Sequence, residues 1–235
     1  MKNIWFSLLP EGPQKEYNKA FQKQTMVLTY YLSQQEKAKQ GDYGDFSMLH
    51  LIASGNYNAG FEDWMDVKKD TLCLTFYVNT SAFFRFYNDR DKLEYLCQIL
   101  RDASFAFADR YPALMQSLRS SLDDFRRQGF KNEWVLDRGE VGKLNLTYEV
   151  RCVLTCEHYY AMFILFQEGK EVYTQDIYLS IPNELYVELK LKKVVRKQDR
   201  LELWGIAKKP IHTISLNDKA LAISLQKGKK QKKGA

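Results

Sequence analysis

At 235 residues, with 45% hydrophobic and 27% charged content, the chain can bury one large core or two small ones, and its balance excludes a disordered or fibrous protein. The formal charge of +6 is unevenly spread: residues 190–200 carry six Lys/Arg against one Asp, and residues 226–235 carry five Lys and no acid, so the remainder is mildly acidic. This layout excludes a uniformly basic protein and points to contact with a polyanion at defined places.

In chain order, the first apolar run ends at Pro10 and is too short for a signal peptide. From 13 to 40 the positions Tyr17, Ala20, Phe21, Val27, Leu28, Tyr31 and Leu32 keep helical spacing, with Pro13 suited to a first turn and Gly41 to a stop, which predicts one long amphipathic helix. Residues 41–45 read as a loop, and 46–54 (FSMLHLIAS) as a short helix that stops at Gly55. Leu72, Leu74, Phe76 and Val78 alternate with Cys73, Thr75 and Tyr77, the period of a strand. The aromatic-rich stretch 80–90 (TSAFFRFYNDR) reads as a loop that drops rings into the core, although its Phe/Arg interleaving also suits base stacking.

Asn88 resembles a helix cap, and Leu93, Leu96, Cys97, Leu100, Ala103 and Phe107 then hold one apolar face. Pro112 starts a second helix with Leu114, Leu118, Leu122 and Phe125 inward, and Gly129 ends it.

After Gly129 the period changes to two. Leu144, Leu146, Tyr148, Val150, Cys152 and Leu154 alternate with polar residues, and 160–167 is apolar on both faces. Turn 168–171 leads to Tyr173, Gln175, Ile177, Leu179 and Ile181, and Pro182-Asn183 leads to Leu185, Val187, Leu189 and Leu191. Leu201 and Leu203 follow, and short strands at 211–216 and 220–225 are expected to pair through Asn217-Asp218-Lys219. The fold class is therefore α+β: a mostly antiparallel meander from the second half packed against helices from the first. Those helices are expected to cover the face lined by Leu146, Tyr148, Val150, Ile177, Leu179, Val187 and Leu189. One domain over 1–226 is expected, helix-rich to 129 and strand-rich after, with a looser cut near 130; 227–235 forms a lysine tail that is disordered when unbound.

The candidate anion-binding residues are Lys190, Lys192, Lys193, Arg196, Lys197 and Arg200 on a basic hairpin, and Lys227, Lys229, Lys230, Lys232 and Lys233 in the tail. Edge-guarding lysines and a solubilising terminus are the plainer readings of the same residues. Cys73, Cys97, Cys152 and Cys156 form no CxxC pair, which suggests reduced thiols in a cytosol-like compartment. Cys152, Cys156 and His158 share parity, but along one strand they stand too far apart for a tetrahedral zinc, so buried thiols are expected there. No Walker loop, dinucleotide fingerprint or HExxH occurs. The longest apolar run, 159–166, has eight residues, well below the ~20 of a membrane span.

Asp176 followed by Glu188-Leu189-Lys190 resembles the D…ExK core of the PD-(D/E)xK nuclease superfamily. The resemblance implies Mg²⁺ held by Asp176 and Glu188, with Lys190 near the attacking water. It covers residues 172–191, and the chain departs from the superfamily where 201–206 reads as a strand instead of a crossover helix. Three functions are thus expected in competition. The first is a non-catalytic, cofactor-free protein that docks on nucleic acid or a nucleoprotein assembly. The second is a metal-dependent nuclease, and the third an inhibitor- or immunity-type factor for an acidic protein surface.

Overall fold

The structure, a computed structural model, describes residues 3–9, 15–39, 46–55, 60–141, 145–180, 191–206, 208–217, 220–223 and 225. It is α+β, with strands mostly in antiparallel sheets, and it divides into two compact units, Met1–Asn132 and Glu133–Ala235. The division falls where the hydrophobic period changes in the sequence.

The first unit has its own sheet. Strand β1 (Asn3–Leu9) leads through helix α1 (Lys15–Lys39) to β2 (Met48–Ser54), which lies parallel to β1. β4 (Thr71–Tyr77) is parallel to β2, and β3 (Glu62–Asp66) closes the edge antiparallel to β4, giving the order β1-β2-β4-β3. The helix expected over 46–54 is therefore a central strand. Leu49, Leu51, Ile52 and Ala53 are buried, and a strand buried on both faces loses the alternation that would identify it.

Ile4, Phe6, Leu51, Leu74 and Phe76 line the sheet face that takes the helices. The Phe21 ring of α1 meets Phe6 at 5.4 Å and Phe83 at 5.1 Å, and Ser33 Oγ accepts the Ile4 N–H at 2.9 Å. Phe83 belongs to α2 (Thr80–Arg85), a short helix where a loop was expected, capped by Asn79 Oδ1 on the Ala82 N–H at 3.0 Å. Helix α3 (Asp89–Ala106) starts at the Asn88 cap, whose Oδ1 accepts the Asp91 N–H at 2.8 Å. Helix α4 (Pro112–Arg127) begins at its proline, and Gly129 ends the segment at φ +69°, a left-handed conformation that a glycine adopts without strain.

The second unit opens with the meander β5 (Asn132–Val141), β6 (Leu146–Leu154), β7 (Tyr159–Gln167) and β8 (Lys170–Ser180), hydrogen-bonded in that order. Leu146, Tyr148, Val150 and Cys152 on β6 share a buried face with Tyr159, Ala161, Phe163 and Leu165 on β7. Ile177 is buried, as expected, but Leu179 is 68% exposed. The register explains the difference: Ala161 faces Tyr178 while Met162 faces Asp176, so Ile177 is an extra residue without a partner. One inserted residue moves everything beyond it to the opposite face.

A three-stranded antiparallel sheet follows: β9 (Lys193–Arg196), β10 (Arg200–Trp204) in the centre and β11 (His212–Ser215). The last expected strand, 220–225, is not one. Residues 220–223 are helical, started by Asn217, whose Oδ1 accepts the Ala220 N–H at 2.8 Å and whose carbonyl accepts the Leu221 N–H at 3.0 Å. The side chain of Asn217 caps a helical turn here instead of shaping a hairpin. The strand expected over 185–191 lies outside the described residues except for Leu191, and so do loop 41–45 and the tail 227–235.

Candidate functional site

The basic hairpin exists as β9–turn–β10, and its register sorts the predicted cations. Arg196 pairs with Leu201, Val195 with Glu202, Val194 with Leu203 and Lys193 with Trp204. Cross-strand partners share a face, so Val194 and Arg196 lie with Leu201, Leu203 and Ile214, the buried face of this sheet. Lys193 lies on the other face with Arg200, Glu202 and Trp204. Arg200 and Trp204 stand four residues apart on β10, about 13 Å at strand rise. The cations therefore divide between two ends: Arg196, Lys197 and Arg200 at the turn, Lys192 and Lys193 at the opposite end.

Two of these cations have structural partners. Arg196 Nη2 donates to the Glu140 carbonyl oxygen on β5 at 2.5 Å. Gly139 leaves room for this: a Cβ there would stand 3.2 Å from Arg196 Nη1 and 3.2 Å from Tyr148 Cε1. Arg200 Nε donates to Glu202 Oε1 at 2.9 Å, and Trp204 Nε1 to Glu202 Oε2 at 3.3 Å. Glu202 is only 7% exposed, and the Arg200 hydrogen bond holds its carboxyl below the usual carboxylate range, with the Trp204 N–H adding to the effect. Lys192, Lys193 and Lys197 are exposed and form no salt bridge among the described residues.

The β10–β11 connection adds two cations that sequence reading did not single out. Lys208 and Lys209 are exposed and lie at the same end as Lys192 and Lys193. A KK pair in a loop carries no periodic signal; only the return of the chain to the far end of β10 unites it with the hairpin. Over 191–217 there are seven Lys/Arg against two acids, and one of those acids, Glu202, is already matched by Arg200. The sheet thus offers concentrated positive charge with little to oppose it.

The nuclease residues are only partly in view. Asp176 is exposed on β8, opposite Met162. Glu188 and Lys190 lie outside the described residues, as do Lys227, Lys229, Lys230, Lys232 and Lys233. Among the described residues no group of three or more His, Cys, Asp or Glu stands within reach of one metal ion. Cys152 and Cys156 are buried while His158 is exposed in the turn that Thr155 organises. The Tyr159 hydroxyl donates to Cys152 Sγ at 3.7 Å, and burial pushes that thiol up to about 11, so it stays protonated near neutrality.

A separate polar pair stands on the first unit's sheet. Ser7 Oγ and His50 Nε2 are 2.8 Å apart, in a cross-sheet row where His50 pairs with Trp5 and Cys73, and Cys73 with Trp64. Burial, with Lys69 adding to it, lowers the His50 pKa and favours neutral imidazole. Sequence reading had no means to bring together His50 and Ser7, which stand 43 residues apart in the chain.

Compared with known proteins, the chain matches no family model, no curated protein and no solved structure. Among the described residues no helix is long and apolar enough to cross a membrane.

Proposed function

We propose that the chain is a non-catalytic binding protein that docks on nucleic acid through its three-stranded basic sheet and its lysine tail. One observation carries this reading: exposed Lys192, Lys193, Lys197, Lys208 and Lys209 cluster on a small sheet whose buried acid is neutralised by Arg200. Lysine ammonium groups without ion-pair partners can replace counterions along a phosphate chain, and the release of those counterions drives association. The meander beneath serves as a scaffold, since Arg196 links the hairpin to β5.

The test is an anisotropy titration of a labelled oligonucleotide at several salt concentrations. If each of the tail's five lysines meets one duplex phosphate, the tail alone contributes a log–log slope of about −4 to −5. Deleting residues 227–235 then flattens the slope by that amount, and an unchanged slope removes the tail from the mechanism. A partner that stays bound through nuclease treatment of a pull-down would argue instead for an acidic protein surface.

A further inference from the structure

We infer that the Trp204 end of the three-stranded sheet is a single-strand site, where an unpaired base stacks on the indole while Lys192, Lys193, Lys208 and Lys209 meet the adjoining phosphates. This rests on the nucleic-acid reading above and adds two things to it: which form of nucleic acid is bound, and which side chain takes the base.

The geometry begins with the row across the sheet. Lys193 pairs with Trp204, so the two share a face with Arg200 and Glu202, and the Ile211 N–H donates to the Leu203 carbonyl at 2.7 Å, which brings the β10–β11 connection back to this end of β10. The Lys192 N–H donates to the Trp204 carbonyl at 2.8 Å, which fixes a second lysine at the same point. Lys208 and Lys209 enter from the connecting loop.

The indole is held in place. Its N–H is satisfied by Glu202, and Glu202 is gripped by Arg200, so the ring can offer its π surface without leaving a polar atom unpaired. Trp204 is partly exposed, and the apolar surface beside it is open, with Ile206 66% and Ile211 42% exposed. A ring with aliphatic neighbours and surrounding ammonium groups complements a flat base joined to charged phosphates. Paired bases in a duplex have both faces covered by their neighbours, so this arrangement selects unpaired strands. An anionic bilayer also attracts lysines beside apolar residues, but an indole tethered to the sheet by its own N–H suits a stacking platform better than a tip that inserts.

The experiment uses the full chain with labelled oligo(dT), a duplex of equal length, and phosphatidylserine vesicles. Oligo(dT) should bind more tightly than the duplex. Trp204→Leu should weaken it about 5- to 150-fold, the range for loss of one stacking ring, without altering the salt slope. Replacing both Lys208 and Lys209 with Gln should flatten that slope by about 1.4. Should Trp204→Leu disturb folding, as thermal melting would reveal, Trp204→Phe decides: it should keep affinity within a few-fold while removing most of the tryptophan quenching on binding. Salt-dependent binding with no preference for oligo(dT), or with no effect of Trp204→Leu, overturns the stacking site and leaves the nucleic-acid reading standing. Binding of vesicles but of neither oligonucleotide overturns both.

Discussion

Arg196 and Lys197 are neighbours in the same basic run, yet Arg196 has a structural partner and Lys197 forms no salt bridge among the described residues, so the proposed docking predicts different effects for them. Arg196 donates to the neutral Glu140 carbonyl at 2.5 Å, with its second amino group beside Gly139. A hydrogen bond from a charged donor contributes about 1.5–3 kcal/mol when sheltered, and the exposure of Arg196 reduces that to ~1 kcal/mol. Arg196→Gln should therefore lower the melting midpoint of the second unit by about 4–8 °C, the shift that ~1 kcal/mol produces in a domain of this size. It should leave the salt dependence of oligonucleotide binding nearly unchanged. Lys197→Gln should do the reverse: no change in melting, and a salt slope flatter by ~0.7–0.9, one phosphate contact. Differential scanning calorimetry and anisotropy titrations on the two variants settle the matter. The reasoning fails if Arg196→Gln melts like the parent chain while its salt slope falls by a full contact.

Two further perturbations probe the first unit. His50 has a folded-state pKa below its unfolded value of ~6.5, so its stabilisation is present above that pH and is lost as pH falls through the folded pKa; the first unit should melt progressively earlier as pH falls below ~6.5, and His50→Gln should remove that dependence in a pH series of thermal melts. Leu100 is fully buried among Leu51, Leu74, Met115 and Leu118, so Leu100→Ala should cost about 2–5 kcal/mol in urea unfolding, and a loss below ~1 kcal/mol would mean that the helix–sheet core is looser than its contacts imply.

The parts of the fold that were legible in the sequence carry a one-sided pattern. α1, α3 and α4 each bury one stripe, and their ends are marked by Asn88, Pro112 and Gly129. β6 alternates because one of its faces is buried more deeply than the other. Where both faces are buried the pattern fails, and β2 passed for a helix. Turn chemistry was ambiguous in the same way, since Asn217 suits a hairpin or a helix cap, and packing of Leu221, 1% exposed, accompanies the cap.

Composition and spacing alone determined the class of the protein, the bounds of most helices, the basic hairpin and the gathering of charge around it, because each is a property of short stretches of chain. Only the tertiary structure decided which of the described cations have structural partners. Arg196 reaches a carbonyl 56 residues away, Arg200 answers a buried carboxylate, and Lys208 and Lys209 join Lys192 and Lys193 only when β9 and β10 are paired. Hydrogen bonding and strand pairing act on distance in space, and distance along the chain says little about it.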